Sequence, residues 1–194
     1  MAQVDEAIDV TRSFMKSRVI LTAAELDFFT RLDEKPCDAS ELAKEKGLNV
    51  RATTRVLGCL VAFGLLKKKG GAYKLTEKAS LYSARHPQTI LPMILHMNDL
   101  WDTWSGLTDV VKKGGDSGRD SRIQMDNASW KSFIGAMHVR GRKLAQNLAS
   151  EYDLSRFRRL LDVGGASGTF TIAFLLRNPA MTAVLFDLEN VIPM

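Results

Sequence analysis

Residues 159–191 limit most what this chain can fold into. Residues 160–163 (Leu-Leu-Asp-Val) form a short apolar run that ends on Gly164 and Gly165. That is the pattern of a buried parallel strand entering a tight turn. Residues 168–177 are apolar on most faces and stop at Asn178-Pro179, which predicts a helix packed on a sheet. Residues 183–186 predict a second strand, with Asp187 at its C-terminal end. The sum is a βαβ unit with a glycine turn after its first strand and a carboxylate after its second. Glycines let the backbone turn sharply and let a ligand come close where a Cβ would collide. Asp187 lies 23 residues beyond Gly164, near the ~20 at which such an acid reaches a ribose diol.

The spacing narrows the ligand. A dinucleotide turn counted from Gly164 needs glycine at its third and sixth positions, where Ala166 and Thr169 stand. A phosphate-loop ending in Gly-Lys-Ser/Thr is absent from this turn. What is present is Asp162-x-Gly164-x-Ala166-x-Gly168. It resembles motif I of the S-adenosylmethionine-dependent methyltransferases, and Phe186-Asp187-Leu188 resembles the ribose-binding strand end of the same family. Ala166 takes the place of the usual middle glycine. The resemblance implies S-adenosylmethionine as cofactor, with Asp162, Gly164, Gly165, Gly168 and Asp187 around it. A ligand-free βαβ turn is the plainer reading, but it leaves the joint occurrence of glycines and acid at this spacing without a reason.

At 194 residues the chain has room for one large domain or two small ones. It is 45% hydrophobic and 25% charged, ordinary for a globular protein with a core. No apolar run approaches the ~18 residues of a membrane span. The first residues carry early acids rather than a signal-peptide core. Cys37 and Cys59 lack metal-ligand spacing and read as reduced thiols, so a cytoplasmic location without a metal site or membrane partner is expected. A net charge of +5 permits nucleic-acid contact without requiring it.

Upstream, Val4, Ala7, Ile8, Phe14, Met15 and Val19 recur at helical spacing. This amphipathic stripe precedes any core, so it packs on later helices or on a second copy of the chain. Residues 21–32 predict a second helix. Residues 38–63 look like a helix-turn-helix: Asp38 with Glu41 makes a capping box, Gly47 a left-handed stop, and Asn49 a second cap. Val50, Val56, Leu57, Leu60, Val61 and Phe63 are the inward-facing candidates. Two short runs around Gly70-Gly71 make a hairpin, and helix-turn-helix plus hairpin is a winged helix. Arg51, Arg55 and the lysines at 67–69 would suit DNA. Base-edge readers are few on that helix, however, and the chain continues into a cofactor-type unit, so nucleic acid is an improbable partner.

Residues 87–113 predict one long helix starting near Pro92, with Met93, Met97, Trp101, Trp104 and Leu107 on one side. Periodicity favours the core for that side, although a flat aromatic substrate would stack there too. Residues 116–126 read as a mobile polar loop. Residues 129–150 form a further helix with Trp130, Phe133, Ile134, Met137, Leu144 and Leu148 apolar, and residues 151–158 are a joint.

The whole order is similar to the plant-type and bacterial small-molecule O-methyltransferases, the class of caffeate, hydroxyindole and polyketide O-methyltransferases. The fold so implied is a mostly α winged-helix dimerisation domain followed by the first βαβ unit of a Rossmann-like α/β methyltransferase domain. The expected domains are 1–85 (dimerisation), 86–158 (helical connector lining the substrate pocket) and 159–194 (start of the cofactor-binding domain). By the same resemblance, Phe133 and Met137 fall where a Phe-x-x-x-Met helix lines the methyl-acceptor pocket, and Asn98 and Trp101 fall near another pocket helix. A homodimer is implied, with methyl transfer to a hydroxyl of a small aromatic molecule. The family has Pro after Asp-Leu where this chain has Glu189.

The family's general-base histidine lies further along than Met194. None of His86, His96 and His138 matches it, and no catalytic residue is expected in this chain, although His138 sits near enough to the pocket helix to touch substrate. A portion of a longer protein, inactive alone, is therefore the expectation. A winged-helix regulator with a degenerate ligand-binding domain and a catalytically dead dimerisation partner stay open as alternatives.

Overall fold

The computed structural model describes residues 2–114 and 125–194, with side chains from Val4 onward. The polar loop expected at 116–126 falls almost wholly outside the described residues. Packing divides the chain into two compact units, Met1–Trp101 and Asp102–Met194.

The first unit opens with α1 (Ala2–Glu25), followed by α2 (Phe28–Glu34). The expected break near residue 20 is absent: Val19 to Ala24 are good helix partners for the core, and the helix continues through them. Asp27 makes the break instead, held left-handed at φ 57° with Lys46 paired to its carboxylate at 2.9 Å. The last turns of α1 enter the core through Leu21, Ala23 and Ala24. Its first four turns do not, and Val4, Ile8, Phe14 and Met15 are 61%, 39%, 54% and 50% exposed.

Next come α3 (Ala39–Lys46) and α4 (Val50–Ala62). Asp38 Oδ1 accepts from the Ser40 and Glu41 amides at 2.8 Å each, and Asn49 Oδ1 from the Ala52 amide at 3.0 Å. Both caps stand where orphan N–H groups need an acceptor. Gly47 ends α3 at φ 66°. The apolar side of α4 is Thr53, Leu57 and Leu60; Val50, in the first turn, is exposed rather than inward.

Strands β1 (Leu66–Lys69) and β2 (Ala72–Leu75) pair antiparallel across Gly70-Gly71, with Leu66 opposite Leu75. Phe28, Phe29, Leu32, Leu42, Leu57, Leu60 and Leu66 form the innermost core, each at most 2% exposed. At about 1.5–3 kcal/mol for each fully buried apolar side chain, this cluster is the main stabilising term of the unit. A 3-10 helix (Glu77–Tyr82) and α5 (Leu91–Asp99) complete it, and Leu91, Ile94 and Leu95 pack on the same core.

The long helix expected over 92–113 is three short ones: α5, α6 (Trp101–Ser105) and α7 (Leu107–Lys113). Breaks at Leu100 and Gly106 fall in a stretch poor in strong helix formers, Asn-Asp-Leu and Thr-Trp-Ser-Gly. The expected buried stripe is lost with the axis. Met97, Trp104 and Leu107 are 41%, 67% and 48% exposed.

The second unit is built on α8 (Asn127–Glu151), capped by Asp126, whose Oδ1 accepts from the Ser129 amide at 2.8 Å. Its buried side is mostly small: Ser132, Ile134, Ala136, Ala145 and Ala149. Leu144 is 55% exposed, a correction to the expected stripe. Small residues there allow α9 (Thr169–Arg177) to pack closely against α8. Strands β3 (Arg159–Val163) and β4 (Thr182–Phe186) flank α9 in sequence and pair in parallel, with Leu161 opposite Val184 and Val163 opposite Phe186. That is the βαβ unit the sequence predicts. Leu161, Val163, Val184 and Phe186 are each more than 60% exposed, so among the described residues one face of the pair is bare.

Candidate functional site

The site is the turn between β3 and α9, at the C-terminal edge of the parallel pair, where ligands of open α/β sheets bind. Three residues of this turn have positive φ: Gly164 at 75°, Ala166 at 45° and Gly168 at 69°. Ala166 is the exception in chemistry, an L-residue with a Cβ in the left-handed region, a conformation that costs it about 1–2 kcal/mol. What holds it there is Asp187, whose Oδ2 accepts from the Ala166 amide at 2.8 Å. The same carboxylate takes the Leu188 amide on Oδ1 at 2.7 Å. Each oxygen keeps a lone pair for another donor. The Gly164 amide donates to Phe186 O at 2.7 Å, so the turn is tied to the end of β4 twice.

The glycines differ in role. A Cβ on Gly164 would meet no protein atom within 4 Å, so the space over it is open. A Cβ on Gly165 would lie 2.8 Å from Asp162 Cγ, 2.9 Å from Asp162 Oδ2 and 3.0 Å from Leu185 Cγ. On Gly168 it would lie 3.1 Å from Leu185 Cδ1. Gly164 faces the open side, whereas Gly165 and Gly168 are needed for packing within the unit. Asp162 belongs to the inner scaffold, since Thr171 Oγ1 donates to its Oδ2 at 2.5 Å and Thr171 is only 7% exposed.

The structure thus brings Asp162 and Asp187 up against the turn that holds Gly164, Gly165 and Gly168. The acceptor-side candidates form two groups. In the first unit, Arg18 Nη1 donates to Asn98 Oδ1 at 2.7 Å, and its guanidinium lies 5.2 Å from the Trp101 ring centroid. In the second, Phe133 and Met137 sit one turn apart on α8, both half-buried. Trp130 packs edge-on to Phe133, with ring centroids 6.1 Å apart.

The sequence reading gave no role to Thr171, Thr169, Ser167 or Arg18, and it named His138 only as a residue near the pocket helix. Thr171 was hidden because its partner Asp162 is nine positions away. His138 Nδ1 lies 2.8 Å from Thr169 Oγ1, which lies 2.9 Å from Ser167 Oγ, a chain linking α8 to the turn. Burial, with the Arg142 guanidinium second, holds the His138 imidazole below the usual histidine range. Arg18 gave no signal because Asn98, its partner at the acceptor-side group, is 80 positions on. A cavity of about 430 Å³ lies among Ser150–Ser155, Arg177 and Asn178. It is at the N-terminal end of β3, away from the glycine turn, where Asn178 Nδ2 donates to Leu154 O at 2.7 Å and Phe157 O at 3.1 Å. We read it as a structural joint. Among the described residues no cluster of three or more His, Cys, Asp or Glu has metal-ligand geometry, and no helix is long and apolar enough to cross a membrane.

Residues 8–85 match the O-methyltransferase dimerisation domain family, and residues 104–194 match the O-methyltransferase domain family. The chain is 30% identical over 199 residues to a human protein described as a probable bifunctional dTTP/UTP pyrophosphatase/methyltransferase, covering 95% of this chain and 32% of that one. It is 28% identical over 195 residues to the tetracenomycin polyketide synthesis 8-O-methyl transferase TcmO of Streptomyces glaucescens, covering 97% and 58%. In fold it is similar to human N-acetylserotonin methyltransferase solved in complex with SAM, with a TM-score of 0.83, 23% identity, and 98% and 61% of the two chains covered. The chain therefore spans a third to under two thirds of the length of these relatives.

Proposed function

Because the chain belongs to the S-adenosylmethionine-dependent O-methyltransferase family, we propose that it serves methyl transfer to a hydroxyl of a small aromatic molecule. The observation that carries the reading is the turn itself, with open space over Gly164 beside a carboxylate at the end of β4. When bound, S-adenosylmethionine supplies an electrophilic methyl group on a sulfonium. The chain's residues bind and orient. Asp187 accepts from the ribose hydroxyls with the lone pairs its backbone contacts leave over. Gly164 lets the backbone meet the ligand, and Asp162 with Thr171 keeps the turn in shape. Phe133 and Met137 in the second unit are acceptor-contact residues in this reading, and so, separately, are Asn98 and Trp101 of the first unit, held by Arg18. We assign no general base among these residues.

In this reading residues 1–85 are a winged-helix dimerisation domain, residues 86–158 the pocket-lining connector, and residues 159–194 the start of the cofactor domain. The pair α3–α4 with its hairpin supports the winged-helix description. The exposed apolar row of α1 supports a homodimer in which this helix meets a second copy. In this reading the lysines of β1 belong to an enzyme rather than to a DNA-binding wing, and the enzyme works in the cytoplasm.

Titration of S-adenosylhomocysteine by calorimetry tests the site. Hydrogen bonds to a charged acceptor contribute about 1.5–3 kcal/mol, so Asp187→Ala should weaken binding about ten- to a hundredfold. Unchanged affinity would remove the assignment.

A further inference from the structure

His138 lies on α8 one turn before Gly141, and both face the first turn of α9. A Cβ on Gly141 would sit 3.5 Å from Thr169 Cγ2, so the helices approach closely here. Thr169 Oγ1 stands between His138 Nδ1 at 2.8 Å and Ser167 Oγ at 2.9 Å. Ser167 and Thr169 flank Gly168, the left-handed residue that opens α9. The turn is thereby fastened from two sides, by Asp187 through the Ala166 amide and by His138 through the Thr169 hydroxyl.

The second fastening has a direction. Thr169 owns one hydroxyl proton and has two partners. With Nδ1 bare, Thr169 donates to it and Ser167 donates to Thr169. With a proton on Nδ1, the imidazole donates to Thr169, Thr169 turns to Ser167, and the Ser167 proton is released outward. The proton on Nδ1, carried by the imidazolium and by one of the two neutral tautomers, therefore sets whether Ser167 presents a lone pair or a proton.

We propose that His138 is a positioning residue for the cofactor turn, fixing Ser167 through Thr169 and coupling the helix of Phe133 and Met137 to cofactor binding. This rests on the turn being the cofactor site. The charged groups around the ring are few. Arg142 is one turn along α8, α9 carries only Arg177 at its far end, and Asp162 and Asp187 flank the turn with Thr171 and Ala166 as their partners. A ligand closing over the turn adds burial and disfavours the imidazolium, so binding should weaken as pH falls.

Calorimetry with S-adenosylhomocysteine between about pH 5 and 8 tests this on the parent chain, His138→Phe, His138→Asn, Thr169→Val and Asp187→Ala. His138→Phe and Thr169→Val should bind about three- to tenfold more weakly, the scale of one ordinary hydrogen bond. His138→Asn, whose carboxamide reaches the position of Nδ1, should restore most of the affinity. Acid weakening in the parent should vanish in His138→Phe. Imidazole nitrogen spectra add a ligand-free readout, since the Nδ1 signal of His138 should shift in Thr169→Val. Weak binding by Asp187→Ala alongside parental affinity and pH profile in His138→Phe would overturn the positioning role and leave the site standing. Parental affinity in both, or no saturable binding by the parent, would overturn both.

Discussion

Gly165→Ala isolates packing from ligand contact in the turn. Gly165 is not a left-handed residue, so alanine meets no backbone penalty there. Its Cβ would instead stand 2.8 Å from Asp162 Cγ and 3.0 Å from Leu185 Cγ. Overpacking of this kind costs about 1–3 kcal/mol. Asp162 has little freedom to retreat, because retreat releases the Thr171 hydroxyl at 2.5 Å and leaves it buried without an acceptor. That adds about 1–3 kcal/mol. The total, roughly 2–6 kcal/mol, is a large share of the 5–15 that folds an ordinary domain. Gly164→Ala is the counterpart. Its Cβ meets nothing, so its cost is the left-handed conformation alone, about 1–2 kcal/mol. Its side chain occupies the ligand's space, and its main effect should be on S-adenosylhomocysteine affinity. Urea unfolding of both variants, with hydrogen exchange to localise the loss to residues 159–187, measures the difference. A Gly165→Ala chain at least as stable as Gly164→Ala would refute the division of labour between the two glycines.

Three further outcomes follow from the geometry. Ile8→Asp or Phe14→Asp should shift sedimentation from dimer toward monomer at micromolar concentration with the helical content kept; a parent that sediments only as a monomer would count against the α1 interface. Cys37 is 2% exposed, and burial pushes its thiol up, while Cys59 is exposed. A chromogenic disulfide should therefore titrate one thiol in the native chain and two in denaturant. His138 is held below its ordinary pKa in the fold, so its contribution to stability is full above the unfolded value near 6.5 and is lost as pH falls through the folded value. Urea midpoints should drop across that window in the parent and stay flat there in His138→Phe.

The βαβ unit was legible because its signals are local. Gly164, Gly165 and the Asn178-Pro179 stop are read from adjacent residues, and the caps at Asp38 and Asn49 from the three that follow. The helix breaks at Asp27 and Leu100 were not legible in this way. No glycine or proline marks either one, and Asp27 is left-handed with a lysine from α3 beside it. The stripe Met97-Trp101-Trp104-Leu107 kept helical spacing while the helix beneath it did not, so period alone gave the wrong face. At the site, the identities of the glycines were visible but their division into one ligand-facing and two packing positions was not. That division depends on Leu185, which reaches the turn only through the parallel register of β4.

The contact from Asp187 to Ala166 spans 21 residues and closes only when β4 has joined β3. Parallel strands cannot pair through a tight turn, and α9 has to be in place between them first. The helices and hairpin of the first unit form from near neighbours, whereas this clasp pays its loop-closure entropy before any reward arrives. Loop closure therefore predicts that the cradle is among the last features to appear as the chain folds. A ligand that binds it acts on the finished state alone and slows the chain's return to the unfolded ensemble, so saturating S-adenosylhomocysteine should retard unfolding while leaving the rate of folding nearly unchanged.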